Sequence, residues 1–256
     1  MNIIVCVKQV VDVSEMRINP QDNKPILTGL AKKINDIDKN AVEEAIKIKE
    51  KHGGKITILT AGSNDAKEQL KELLAMGADE AIIVKTPENA DYNITSNLLA
   101  GAIKKIKDYD MIICGEASID LFSSQIGPRI AVLLGIPEVA YAQNITVEKN
   151  RVITEKNLGD SVVTIETQYP ILLTVTREIN QPRLPSLMSI LASSSKTIQE
   201  WSASDIIHEE ALLQPKTIIR EIKGISMHRK NIIYKEDVDK SVNMLVNELA
   251  KEGVLR

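Results

Sequence analysis

Met111 to Pro128 reads MIICGEASIDLFSSQIGP: an apolar run breaks at a glycine into a hydroxyl-rich loop and then resumes with the spacing of a helix. Met111-Ile112-Ile113-Cys114 has the continuous hydrophobicity of a strand covered on both faces. Gly115 allows a sharp turn or a close approach of backbone to a ligand. Ser118, Asp120, Ser123 and Ser124 gather where the next helix should begin. Gln125 to Leu134 is moderately amphipathic, with Gly135 as its stop signal. A helix start offers open N–H groups and a partial positive charge, which suits a phosphate. An ordinary βα loop with a cluster of N-caps has the same features, and the segment alone fits both.

Working outward, the first half of the chain alternates strand and helix. Ile3 to Val7 reads as a strand and Asp38 to Lys51 as a helix whose apolar face is Ala41, Val42, Ala45, Ile46 and Ile48, ended by Gly53-Gly54. Lys55 to Thr60 is a second strand. Asn64 to Met76 is a helix capped by Ser63 or Asn64 and stopped near Gly77. Ala81 to Val84, Ile94 to Ile106 and Met111 to Cys114 continue as strand, helix, strand. The pattern predicts an α/β fold, a doubly wound, mostly parallel sheet with right-handed crossovers.

After Pro137 the pattern changes. Ala142 to Val147, Arg151 to Glu155, Ser161 to Glu166 and Ile171 to Val175 read as consecutive strands that extend or flank the sheet in antiparallel fashion. Ile179 to Lys196 carries Pro182 and Pro185, which exclude a continuous helix or a central strand. That loop displays Leu184, Leu187, Met188, Ile190 and Leu191. It either tucks onto its own core or offers an apolar surface to a partner. Thr217 to Ile222 reads as a strand, Met227 to Glu236 as a polar linker, and Asp237 to Leu249 as an amphipathic helix that either packs as a final element or docks on another subunit. The expected division is a nucleotide-binding α/β domain over 1–200, including the loop 180–196, and a C-terminal segment with a helical arm over 201–256.

Composition narrows the function classes. The 256 residues are 43% hydrophobic but only 3% aromatic, so the core must be Ile, Leu, Val and Ala. A formal charge of −3 gives no basic surface for nucleic acid, and few aromatic side chains are available to stack on single strands. Cys6 and Cys114 lie in apolar runs and read as buried thiols. His52, His208 and His228 lack metal spacing to a second ligand. No run has the length of a membrane span or a signal h-region, so a cytoplasmic protein without membrane insertion is expected.

Three strand ends converge if the first and fourth strands are neighbours: Val7-Lys8-Gln9, Ala61-Gly62-Ser63 and Gly115. Ligands of doubly wound sheets sit beyond the carboxyl ends of the strands, near the reversal of strand order. That cleft suits an adenine nucleotide, with the phosphates on the Gly115 to Gln125 loop. Neither G-x-G-x-x-G nor a Walker lysine motif is present.

Four blocks then carry a resemblance that runs from the N-terminus to at least Ala192. They are Val7-Lys8-Gln9-Val10 with Asp12; Ile34-Asn35-Asp36-Ile37-Asp38 before Ala41-Val42-Glu43-Glu44-Ala45; Ala75-Met76-Gly77-Ala78-Asp79; and Val175-Thr176 with Asn180, Pro182, Arg183, Ser186 and Leu187. In their order and spacing they resemble the β subunit of electron-transfer flavoproteins. The resemblance implies an adenine-nucleotide site at Cys6, Val7, Lys8, Asn35, Ile37, Asp38, Ala61 and Gly62. Its phosphate loop would comprise Gly115, Ser118, Ile119, Asp120, Ser123, Ser124, Gln125, Ile126 and Gly127. The family's usual Gln and Ala are here Ala117 and Ser118, and Leu121-Phe122 interrupt its acidic pattern.

Gln125-Ile126-Gly127-Pro128 and Gln181-Pro182-Arg183-Leu184-Pro185-Ser186-Leu187 are similar to words of the electron-bifurcating and nitrogen-fixation-linked branch. This favours FAD in this subunit, with structural AMP of the housekeeping type as the alternative. The resemblance further implies an α-subunit partner and a dehydrogenase (acyl-CoA type or another flavin or iron–sulfur enzyme) met through Leu184, Leu187 and Met188. NADH and ferredoxin are implied for the bifurcating branch. No catalytic acid, base or nucleophile and no metal is expected, because a flavin carries the redox chemistry. Two other classes share such a fold: a nucleotide-sensing module, which needs neither the loop after Val175 nor the tail, and an ATP-cleaving enzyme, which needs a phosphate-gripping Ser-Gly-Gly loop where this chain has Val7 to Asp12.

Overall fold

The computed structural model describes residues 1–224 and 230–255. They fall into two compact units, one of residues 1–17 and 26–221, the other of residues 18–25 and 222–256. The first unit opens with β1 (Asn2–Cys6), α1 (Asp36–His52), β2 (Lys55–Gly62), α2 (Lys67–Met76), β3 (Glu80–Lys85), α3 (Tyr92–Ile106), β4 (Met111–Gly115) and α4 (Ile126–Leu134). It continues with β5 (Glu138–Ala142), β6 (Asn144–Val147), β7 (Val152–Asn157), β8 (Val162–Thr167), β9 (Ile171–Val175), α5 (Leu187–Ser193) and β10 (Ile198–Trp201). Two short strands, Gln9–Val11 and Lys32–Ile34, pair antiparallel beside β1.

The main sheet has seven strands in the order β10-β3-β2-β1-β4-β9-β5, all parallel. Strand order reverses between β1 and β4, which pair from Ile3↔Met111 to Cys6↔Cys114. The α/β, doubly wound architecture expected from the alternating pattern is therefore present. Its two layers follow from the two-residue period of β1. Ile3 and Val5 pack among α1 and α2 residues such as Val42, Ile46 and Leu73, whereas Ile4 and Cys6 pack among α3 and α4 residues such as Leu98, Leu99 and Ile130. Helix ends also follow local chemistry. Gly53 and Gly135 close α1 and α4 at positive φ, and the Asp91 carboxylate accepts the Ile94 N–H at the start of α3.

The second half corrects three expectations. Ile171–Val175 is a parallel member of the main sheet, beside β4; its fully buried apolar run suits that place better than an antiparallel flank. Only β6, β7 and β8 form the antiparallel meander, as a separate sheet. Within the Pro-containing loop, Leu187–Ser193 is helical, because both prolines precede it and Ser186 Oγ caps it through the Ser189 N–H. Thr217 to Ile222 is not a strand. Its β-branched residues suit one, but the N–H groups of Lys216 and Thr217 are drawn to Asp91 Oδ2 at 2.7 and 2.9 Å. The edge strands β5 and β10 complete the sheet.

In the second unit, Asn23 N–H donates to Asn19 O and Gly224 N–H to Asn23 O. The helix α6 (Val238–Lys251) begins at Asp237, whose side chain accepts the Lys240 N–H. The first part of the expected linker, Met227 to Arg229 with His228, lies outside the described residues. Among the described residues no helix is long and apolar enough to cross a membrane.

Candidate functional site at the carboxyl edge of the sheet

The reversal of strand order brings the ends of β1 and β4 side by side, and the start of α1 closes over both. Asp38, in the first turn of α1, is almost fully buried. Its Oδ2 accepts the Lys8 N–H at 2.7 Å, and the Gly115 N–H also bonds to its carboxylate. Burial raises its pKa from 3.8 to about 7; bonds from Asn35, Lys8 and Gly115 oppose that rise. Gly115 is required here by space: a Cβ would stand 2.3 Å from Asp38 Oδ1 and 3.2 Å from the Asp38 nitrogen. Ile37, beside it, is buried in the core.

Asn35 fixes the loop that follows. It is wholly buried, its Nδ2 donates to Ala117 O at 2.9 Å, and its Oδ1 accepts the Ile119 N–H at 3.0 Å. An amide can do both at once because it carries a donor and an acceptor. Lys8 Nζ reaches across to Asp120 Oδ2 at 2.7 Å and to Ser118 Oγ at 3.3 Å, at the partly exposed mouth. Phe122 N–H donates to Ser118 O, and Phe122 and Ser124 both adopt positive φ. The loop is thus turned tightly, with Phe122 and Leu121 facing solvent. Glu116 is raised by partial burial and by the neighbouring charge of Glu178.

The hydroxyl cluster precedes the helix rather than capping it. Gln125 stands at the N-cap of α4 without a side-chain capping bond, and its Oε1 accepts from Arg129 Nε. The first-turn N–H groups of Ile126 and Gly127 therefore lack that side-chain acceptor, and Pro128 has no N–H. Gly127 is buried against β9, where a Cβ would meet Thr174 Cγ2 at 2.5 Å. Ser123 and Ser124 are half-buried just before this turn.

Lys8, Asn35, Asp38, Gly115, Ser118, Ile119 and Asp120 are joined by these contacts into one constellation; Cys6 ends β1 and Val7 follows it just before Lys8, and Ile37 lies in the first turn of α1. Ala61 and Gly62 end the neighbouring strand β2 on the same edge, and Gly62 faces open space. Cys6 and Cys114 are buried, free register partners. The Cys114 thiol is pushed well above its ordinary value, first by its hydrogen bond with Cys6 and then by burial. Among the described residues no three His, Cys, Asp or Glu side chains gather as a metal site.

Leu184, Leu187 and Met188 take no part in these contacts and are 91%, 73% and 74% exposed. The apolar loop is therefore displayed, not tucked onto its own core. Residues without an assigned role in the sequence reading also matter here. Asn40, Glu43, Glu44 and Glu50 on α1 bind Asn180 and Arg183, which lead into α5. Asn180 and Arg183 stood out as words, but their bonds span some 133 to 140 residues of chain. The available signal was Glu43-Glu44, a carboxylate pair inside the apolar pattern of α1, which the structure buries.

Fold and edge together define a doubly wound parallel α/β domain whose polar loops gather over the reversal point. A family model described as the electron transfer flavoprotein domain matches residues 26–206. Over 261 residues the chain is 38% identical to the electron transfer flavoprotein subunit beta of Thermoanaerobacterium thermosaccharolyticum, covering all of both chains. It is 34% identical over 262 residues to the caffeyl-CoA reductase-Etf complex subunit CarD of Acetobacterium woodii, again over the whole of both. It is 35% identical over 224 residues to the acryloyl-CoA reductase electron transfer subunit gamma of Anaerotignum propionicum, covering 85% of this chain and 83% of that one. The chain belongs to the electron transfer flavoprotein family, in its β-subunit line, and its function is electron transfer.

Proposed function

We propose that this chain is the β subunit of a heterodimeric electron-transfer flavoprotein that holds FAD at the carboxyl edge of its sheet and relays electrons by flavin-based bifurcation. The observation that carries the reading is the Asn35-anchored loop from Gly115 to Ser124, leading into a helix start without a side-chain cap. The donors fit a nucleotide's phosphates: the Lys8 ammonium at the mouth, the Ser118, Ser123 and Ser124 hydroxyls, and the backbone N–H groups of Ile126 and Gly127. Cys6, Ala61 and Gly62 would line the adenine. Redox chemistry is what the isoalloxazine supplies when bound. The chain's own residues bind and orient. Asn35 and Asp38 fix the loop against two strand ends, and Lys8 contributes a positive charge held beside Asp120 and Ser118.

Similarity to subunits of the caffeyl-CoA reductase-Etf complex and of acryloyl-CoA reductase supports an α subunit and a dehydrogenase as partners. NADH as donor and ferredoxin as one acceptor are part of the bifurcating reading proposed here. Segment 201–256 with α6 would dock on the α subunit, α5 would meet the dehydrogenase, and the complex would work in the cytoplasm. The test is to co-express the chain with its α subunit, denature the complex, and quantify FAD and AMP per heterodimer. Two FAD and no AMP are expected. One of each would replace this reading with the housekeeping one, in which this subunit holds AMP.

A further inference from the structure

We infer that Arg183 is a positioning residue for α5, holding the displayed helix to α1 and making no contact with the partner itself. The inference rests on the electron-transfer reading above and deepens it. The guanidinium is used on both edges. Nε donates to Glu43 Oε2 at 2.9 Å and Nη2 to Glu43 Oε1 at 3.0 Å; Nη1 donates to Glu50 Oε1 at 2.5 Å and Nη2 to Glu50 Oε2 at 3.1 Å. The Arg183 backbone N–H adds a bond to Glu43 Oε2 at 3.1 Å. A guanidinium with both forks engaged has no edge left for a carboxylate on another protein.

The need for such a mount follows from α5 itself. A helix of seven residues cannot hold its own shape in water. Packing on α2 supplies part of the support, but Ser193 is the buried residue of α5 while Leu187, Met188, Ile190 and Leu191 face solvent. The rest comes from the flanks. On the entering side, Asn180 Nδ2 donates to Asn40 O and to Glu44 Oε2, both at 3.0 Å, next to the Arg183 forks. On the leaving side, Lys196 Nζ donates to Leu74 O at 3.1 Å and Ala78 O at 2.7 Å, around the end of α2. The apolar residues are thus offered from a frame fixed at both ends, which lowers the ordering cost of binding.

The Glu43 side chain is only 5% exposed, so removing Arg183 alone leaves a buried carboxylate without its counter-charge. The test therefore pairs Arg183→Gln with the neutral double variant Arg183→Met/Glu43→Gln and the conservative Arg183→Lys, each in the full chain bound to its α subunit. Amide hydrogen exchange of residues 187–195 reads the mount, and the acyl-CoA dehydrogenase concentration giving half-maximal transfer reads the partner. In the double variant, exchange at α5 should accelerate roughly a hundredfold as the local frame opens. Half-maximal transfer should need about tenfold more dehydrogenase, with maximal rate and bound nucleotide unchanged. Arg183→Lys should fall between, because an ammonium cannot make two forks. Unchanged exchange at α5, or a uniform acceleration through the whole chain, would overturn the positioning role. Faster exchange with unaltered transfer would leave the mount standing and overturn its link to the partner.

Discussion

Two buried carboxyl groups of the helix α1 solve the same problem in opposite ways. At its first turn, Asp38 is buried with backbone N–H donors, and the Lys8 ammonium itself is turned to Asp120. Five residues later, Glu43 is buried to a similar degree but meets a guanidinium edge-on. The first carboxyl is consequently pushed towards neutrality, with burial outweighing its hydrogen bonds. The second forms part of an ion-pair frame. One end is a tight polar knot over the strand ends; the other is a frame that offers apolar side chains to solvent. Burial alone does not decide what a carboxylate does; the charge of the donor facing it does.

The largest expected effect comes from the pH response of Asp38. Its pKa is about 7 folded and near 3.8 when exposed, so the unfolded chain binds fewer protons between these values. The contribution of Asp38 to stability is therefore full below about pH 3.8 and is lost as pH rises through about 7. The span is on the order of 4 kcal/mol. Asp38→Asn should flatten this component, so the difference between wild-type and variant unfolding free energies should vary across pH 4 to 7. Parallel curves from denaturant titrations would show that Asp38 is not the strained member of the comparison.

Next in size is Gly115→Ala. Its Cβ would collide with the Asp38 carboxylate and press on α1 backbone, so about 1–3 kcal/mol of stability should be lost, with loosened nucleotide. Gly62→Ala on the neighbouring strand end meets no protein atom within 4 Å and is the control for stability alone, since Gly62 lines the proposed adenine site. Thermal unfolding of both variants checks the contrast, with nucleotide content after gel filtration read for Gly115→Ala. Equal melting temperatures would mean that the loop gives way more easily than its packing implies.

How far these regions could be read beforehand follows the range of the forces involved. Strands β1 to β4 and helices α1 to α4 announce themselves by uninterrupted Ile and Val runs, a helical apolar stripe and a glycine stop, all local signals. The edge strand β10 carries Ile198-Gln-Glu-Trp201, too polar to stand out, and becomes a strand because β3 offers it a ladder. Thr217 to Ile222 had the right residue types, yet a tether to Asp91 claims its backbone. The prolines at 182 and 185 rule out a helix through themselves but say nothing about the residues after Ser186. At the site, Asn35, Asp38 and Gly115 are visible as words of a family. That Asn35 bridges Ala117 O and the Ile119 N–H, or that Arg183 closes on Glu43 and Glu50, depends on the completed sheet bringing remote segments together.

The smallest expected change in stability separates the two ends most cleanly. Leu187 is 73% exposed, so Leu187→Ala removes little buried surface, and unfolding should move by no more than about 0.5 kcal/mol. Leu187 is not among the residues that fix the knot around Asp38, so bound nucleotide should stay at the wild-type level. If α5 is the surface that meets a dehydrogenase, truncating a central apolar side chain should still weaken electron transfer to that enzyme by about tenfold, read in the partner concentration for half-maximal rate. Gly115→Ala should do the reverse, loosening nucleotide while leaving the affinity for the dehydrogenase intact. The crossed pair of phenotypes is the test: it requires that one helix, α1, carries two functions that fail independently. Transfer unaltered by Leu187→Ala would remove α5 from the partner surface. Nucleotide lost from the same variant would mean that the frame and the knot are one cooperative unit.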